Sequence, residues 1–252
     1  MRAARLTTSI VTAAFIVSVA PAYAQTAPPE PPRAESSSGA GQFIRDVGSD
    51  YRNFFSWETA LWLGIGGAAA AAIHPFDDDL KDDSQSSDVN LKGGQYYGGA
   101  AVQVPLAVGW WIIGAAAGST KGANAGRDLL RAQISATSWT YAIKYPVNRT
   151  RPNGDPRSFP SGHASSTFAT AAVLQQYYGW KLGIPAYAAA VYTAASRVTD
   201  NKHWASDVTF GAFVGIASGR TVTLHVRRQP VAIAPSIARG GGAVFITVGG
   251  LQ

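Results

Sequence analysis

An all-α bundle of about six helices, followed by a short C-terminal β-hairpin, is the fold class this sequence predicts. Three observations lead there. Between residues 42 and 225 no stretch alternates apolar and polar residues with period two, as a half-buried strand would. Apolar runs of helical length recur instead, each closed by proline, glycine or charge. The 27 glycines of the chain allow such helices to approach one another closely.

The first 24 residues read as a removable leader. Arg2 and Arg5 supply a positive start, Ile10–Val19 is an apolar run, and Ala22-Tyr23-Ala24 has the small-x-small pattern of a cleavage site. Export to the periplasm is the expectation. Residues 25–41 hold Pro28, Pro29, Pro31, Pro32 and a Ser36-Ser37-Ser38-Gly39 tract, so they read as a disordered linker. The domain proper is expected over 42–225. It opens with an amphipathic helix over 42–56, mixed in aromatics and charges.

Residues 59–73 are charge-free and rich in Ala and Gly, which predicts a buried helix ending near His74-Pro75. Residues 77–88 carry six aspartates and read as a solvated acidic loop, lacking the glycine and distal glutamate of an EF-hand. Residues 93–120 have no charge and are long enough to cross a bilayer, but Gln103, Pro105 and several glycines interrupt them. Helices are predicted over 127–145, ended by Pro146, and over 164–178, 182–195 and 208–218. In the tail, 226–252, two apolar runs flank Gly240-Gly241-Gly242, and Pro235 confines that hairpin to an edge.

Composition narrows the chemistry. There is no cysteine, hence no disulfide and no thiolate metal site. The formal net charge is +6, of which Arg2 and Arg5 contribute two. That mild excess suits anionic small molecules or lipid headgroups. No basic strip interleaved with aromatics marks a nucleic-acid binder.

The chemistry-bearing residues cluster between Lys144 and Asp207. Ser161 and Gly162 open a helix, where unpaired amides bind anions, and His163 stands at its mouth. His203 and Asp207 are i and i+4, neighbours on one helix face. The carboxylate can then fix the tautomer of the imidazole and leave its other nitrogen free to act as nucleophile or base. Lys144, Arg151 and Arg197 supply the charge to hold a phosphate dianion. Asp200 is expected to be solvated. His74 and His225 have no partner by spacing and read as structural or surface residues.

The order Lys144-x6-Arg151-Pro152, Pro160-Ser161-Gly162-His163, Ser196-Arg197-x5-His203-x3-Asp207 resembles the signature of the type-2 phosphatidic acid phosphatase and vanadium haloperoxidase superfamily. The resemblance covers about residues 95–220. It implies that His203 attacks phosphorus to form a phosphohistidine, that Asp207 orients it, and that His163 protonates the leaving alkoxide and then activates water. It also implies that Lys144, Arg151, Ser161, the Gly162 amide and Arg197 bind the phosphoryl oxygens. No metal and no other cofactor is expected, since positioning and fixed charge carry the transfer. His163 is expected to start protonated and His203 neutral.

The substrate implied is a phosphate monoester, either a lipid phosphate such as phosphatidic acid or a small phosphomonoester. The protein is expected to be soluble or membrane-associated, with contact to a membrane surface through the 93–120 run. Two alternatives are a vanadium-dependent haloperoxidase and a non-catalytic phosphate- or headgroup-binding protein. Nothing marks a halide site for the first, and the intact histidine pair argues against the second.

Overall fold

The computed structural model describes residues 39–86, 91, 93–224, 226, 231–238 and 241–248. The leader over 1–24, most of the linker, Asp88 and His225 lie outside the described residues. The helices are α1 (Gly39–Phe54), α2 (Trp57–Ile73), α3 (Asp77–Ser86), α4 (Gly93–Tyr97), α5 (Ala100–Ala116), α6 (Thr120–Val147), α7 (Gly162–Tyr178), α8 (Trp180–Thr199) and α9 (Ala205–Val222). The backbone of β1 (Val231–Ala238) pairs antiparallel with β2 (Gly241–Val248), Val231 opposite Val248.

Six long helices, α2 and α5–α9, make the bundle, and α1 packs on α6 and α9. The innermost pair is α7 with α9. Gly211, Gly215 and Gly219 recur every fourth residue on α9 and so form one stripe. A Cβ at Gly215 would stand 2.2 Å from the Ser165 carbonyl, and one at Gly211 would stand 2.6 Å from that of Ser161. Only glycine permits this approach, and it brings the N-terminal ends of α7 and α9 side by side.

Leu129, Ala132 and Ala136 of α6 pack with Ala169, Val173 and Leu174 of α7 in the core. Polar bridges cross it. Gln133 of α6 donates to Thr170 Oγ1 at 2.9 Å, and Thr170 in turn donates to Gln103 of α5 at 2.6 Å. At the end of the bundle where α6 begins, Arg131 donates to Asp50 of α1 and to Asp128, and the Tyr177 hydroxyl donates to Asp128.

Several boundaries differ from expectation. The predicted buried helix over 59–73 has only Thr59, Gly66 and Ala70 buried. Gly66 packs against Phe213 of α9, whereas Leu61 and Ile65 are exposed. Two of its small residues, Gly66 and Ala70, face inward. The acidic stretch is no loop. A 3₁₀ turn over His74–Phe76 leads into α3, whose first turn holds Asp77, Asp78 and Asp79 against the positive helix end. The charge-free run 93–120 breaks at Gly98-Gly99 into α4 and α5. Helix α6 begins at Thr120, capped by Ser119, whose hydroxyl accepts from the Gly122 amide. Pro146 falls inside its last turn, and the chain leaves at Asn148, in the left-handed region with φ 43°.

Candidate active site

The predicted residues gather at one end of the bundle, where α6 and α8 end and α7 and α9 begin. That arrangement turns two positive helix termini toward the same space. The Ser161 amide donates to the Asp207 carbonyl at 3.0 Å, tying the start of α7 to the first turn of α9. Ser161 is the N-cap of α7, its hydroxyl accepting from the Ala164 amide. A Cβ at Gly162 would make only an ordinary 3.8 Å contact with Thr140, so packing does not demand glycine there.

After Asn148 the chain folds back on itself. The Ser158 amide donates to the Arg149 carbonyl, and the Arg151 amide to the Asp155 carbonyl. Lys144, buried at the end of α6, donates to the carbonyls of Arg157 at 2.7 Å and Ser158 at 3.3 Å. An ammonium has three donors, so one remains. Burial, then the Arg151 guanidinium, pulls the Lys144 pKa down to about 8.

Arg197, 7% exposed, donates through Nη1 to Asp200 at 2.9 Å. Asp200, expected to be solvated, therefore anchors this arginine at the end of α8. The Nε atoms of Arg151 and Arg197 are buried without a hydrogen-bond partner. Two unpaired guanidinium donors inside a protein are costly unless an acceptor arrives.

His203 does not share a helix face with Asp207. It sits in the turn before α9, and Asp207 closes a capping box on Trp204, accepting its amide at 2.9 Å. The i, i+4 spacing acts across a helix start because residues 201–204 are still turning. Nδ1 of His203 lies 3.6 Å from Asp207 Oδ2, longer than a hydrogen bond, and has no nearer partner. The His203 amide donates to the Arg197 carbonyl, which fixes its distance from α8.

Burial above all, then Lys144 and Arg151, hold the His203 pKa down at about 4, against the raising effect of Asp207. His163 is also lowered to about 4, by burial first and then by Arg197, Arg151 and Lys144. Both imidazoles therefore lie in the field of Lys144 and Arg151. The expectation that His163 starts protonated is corrected: buried among three cations, it is neutral at pH 7. Its Nε2 is 3.1 Å from the Gln95 carbonyl of α4, which accepts the ring proton there.

Four functional neighbours escape the motif reading. Arg149 donates to Asp207 Oδ1 at 2.8 Å, and the Ser158 hydroxyl donates to Oδ2. Asp77 and Ser206 bond Arg149 in turn. His74, unpaired by the sequence reading, has Nδ1 2.9 Å from Asp77. No local pattern marks Arg149, since in an extended segment it would point the same way as Arg151, two residues on. Nothing in the sequence joins Asp77 to Arg149. Among the described residues no cluster of three or more His, Cys, Asp or Glu side chains is placed to hold a metal ion.

Residues 129–230 match the model of the PAP2 superfamily. Over 82 residues the chain is 43% identical to a lipid A 1-phosphatase of Porphyromonas gingivalis, covering 31% of this chain and 18% of that one. Over 58 residues it is 40% identical to a lipid A 4'-phosphatase of Helicobacter pylori, covering 23% of this chain and 29% of that one. The matched part thus spans less than a third of either relative. The fold is similar to the transmembrane PAP2-type phosphatidylglycerolphosphate phosphatase of Bacillus subtilis, with a TM-score of 0.55 at 21% identity. That match covers 70% of this chain and 95% of the other. It is also similar to Aquifex aeolicus LpxE, with a TM-score of 0.51 at 21% identity, covering 59% and 95%.

Proposed function

We propose that the chain, whose residues 129–230 match the model of the PAP2 superfamily, is a phosphatase of that superfamily that hydrolyses a lipid-linked phosphate monoester through a phosphohistidine. The observation that carries this reading is the set of buried, under-compensated cations. Lys144 keeps one donor, Arg151 and Arg197 each present an unpaired Nε, and both imidazoles are held neutral by burial first and then by the shared positive field. A tetrahedral dianion answers all of these at once.

In the first step Nε2 of His203 attacks phosphorus as the P–O ester bond breaks. Asp207, beside Nδ1, steadies the charge that develops on the ring. His163, protonated by the arriving phosphate monoanion, passes that proton to the departing alkoxide. In the second step a water attacks phosphorus, its proton passes to His163, the P–N bond breaks, and phosphate leaves. Lys144, Arg151, Arg197, Ser161 and the Gly162 amide hold the equatorial oxygens throughout.

The lipid substrate and a membrane location are supported by the outer surface. Leu61 and Ile65 of α2, Ile112 and Ile113 of α5, and Ile184 and Val191 of α8 are exposed. On the same helices Gly66, Ala70, Ala107, Gly114, Ala186 and Ala190 are buried, and close packing through small residues with apolar side chains outside is what proteins that meet acyl chains use. By length and composition, the helical stretch Trp57–Ser86 is apolar enough to cross a membrane. The exported orientation follows from the leader motif.

The test is phosphate release by membrane fractions washed with carbonate, using lipid A, phosphatidylglycerolphosphate, phosphatidic acid and a small aryl phosphate. Activity that stays with the membrane and prefers a lipid supports the proposal, as does turnover that survives a chelator and is blocked by vanadate. Activity released by the wash and confined to the aryl ester contradicts the lipid assignment.

A further inference from the structure

One buried carboxylate touches the frame of the site without belonging to any of its motifs. Asp77, the first residue of α3, is 3% exposed. Its Oδ1 accepts the Ser206 amide at 2.9 Å, and its Oδ2 accepts the Ser206 hydroxyl at 2.5 Å and Arg149 Nη2 at 2.8 Å. Arg149 continues through Nη1 to Ser206 Oγ at 2.7 Å and Asp207 Oδ1 at 2.8 Å. Its guanidinium also lies over the Trp204 ring, 5.3 Å from the centroid.

We propose that Asp77 and Arg149 are positioning residues for the phosphoryl transfer, forming a carboxylate–guanidinium–carboxylate chain that fixes the plane and charge of Asp207 beside His203. The proposal rests on reading His203 as the nucleophile.

The geometry of Asp207 shows what such a chain does. Oδ2 takes the Ser158 hydroxyl and the Trp204 amide and faces His203, while Oδ1 is bonded by Arg149. A carboxylate held at both oxygens cannot rotate away from the imidazole. Against burial, which acts the other way, His203, the Ser158 hydroxyl and the Trp204 amide lower the Asp207 pKa, and the Arg149 charge adds to them. Arg149 alone would neutralise Asp207; with a second carboxylate the group of three keeps one net negative charge beside His203. Asp77 supplies it, and the planar fork of arginine bridges the two. The acid-rich helix α3 is therefore fastened to the first turn of α9, with Ser206 as the second tie.

The test uses the full-length protein with Asp77→Asn, Arg149→Lys, Arg149→Gln and the Asp77→Asn/Arg149→Lys pair, each checked for folding by circular dichroism. Asp77→Asn and Arg149→Lys are each expected to lower kcat on the order of 10²-fold, the scale of a small misplacement of a reacting group, with KM little changed. The double variant loses no more than the worse single one, because the two act as a unit. Arg149→Gln removes the cation bound to Asp207, so the carboxylate acts more strongly on His203, which also faces Lys144 of α6 and Arg151 of the following loop. The acid limb of kcat/KM therefore moves to higher pH.

A folded Asp77→Asn or Arg149→Lys variant with wild-type kcat, or additive losses with an unmoved acid limb, would overturn the chain. Acid-labile phosphohistidine trapped in the wild type keeps the two readings apart. If the wild type traps it and the variants turn over normally, the positioning role alone falls. If the wild type never forms it, the nucleophile assignment falls and the positioning role with it.

Discussion

The amide of Ser161 donates to the carbonyl of Asp207 at 3.0 Å, so the residue that opens α7 and the acid beside His203 move as one body. The bond exists because α9 meets α7 through glycine. At Gly215 any side chain would run into the Ser165 carbonyl, which is backbone and has no way to yield locally. Gly215→Ala is therefore expected to cost about 1–3 kcal/mol of stability and to lower kcat at the same time, although residue 215 is two helical turns from the first turn of α9. Thermal denaturation alongside kinetics checks this. A stable variant with reduced turnover, or a destabilised one with normal turnover in its folded fraction, would show that the two ends are not coupled.

The starting charge of the imidazoles sets the pH dependence. Both have pKa values lowered to about 4, so both are neutral in the free protein above that pH. His203 is then ready to attack, but His163 has no proton to give. The proton must arrive with the substrate, whose phosphoryl group is half monoanion near pH 6. The optimum of kcat/KM is expected between about pH 4 and 6, falling above that range as the monoanion is lost. A profile that is flat up to pH 8 with a monoester substrate contradicts this proton inventory.

The assigned role of His163 depends on the leaving group. His163→Ala is expected to cost roughly 10²–10⁴-fold with an alkyl phosphate. The loss should be much smaller with an aryl phosphate, whose phenoxide needs little protonation to leave. Equal losses on both esters would remove His163 from the acid role.

Lys144 carries a separate prediction. Its pKa is lowered to about 8, so its charge is present below that value and lost above it. Affinity for inorganic phosphate, a dianion from about pH 7 upward, should weaken as pH rises through 8. Lys144→Arg keeps a fixed charge, so its phosphate affinity should stay level over that range, whatever its turnover. Calorimetric titration from pH 7 to 9.5 measures both. A wild-type affinity that does not change would place the oxyanion away from this ammonium.

Most of the bundle was legible because helices announce themselves by apolar runs and punctuation, and the motif residues lie close enough in sequence to be seen together. What was not legible has physical reasons. The helix over 59–73 reads as buried by composition, yet only its Gly66 and Ala70 side faces the bundle, and nothing in a uniformly apolar run tells inside from outside. Pro146 reads as a stop, but the last turn of α6 accommodates it, and the turn comes at Asn148 instead. Asp77 sits among six aspartates that look alike on paper. Only the fold sets it against Arg149, 72 residues away, and leaves Asp78 and Asp82 on the surface with Lys81. The charge of His163 is hidden from the sequence for the same reason, since the burial of a histidine and the cations around it are properties of the fold.

The most direct test of the account is whether a phosphoryl group becomes attached to His203. The full-length protein is mixed with a phosphate monoester, quenched within the first turnovers under alkaline conditions that preserve phosphohistidine, digested, and mapped by mass spectrometry. The account predicts an acid-labile phosphoryl group on the peptide containing His203, absent in His203→Ala, which also turns over only at background rate. Phosphate release at the normal rate by His203→Ala, or a phosphoryl group found on a different residue, would contradict it.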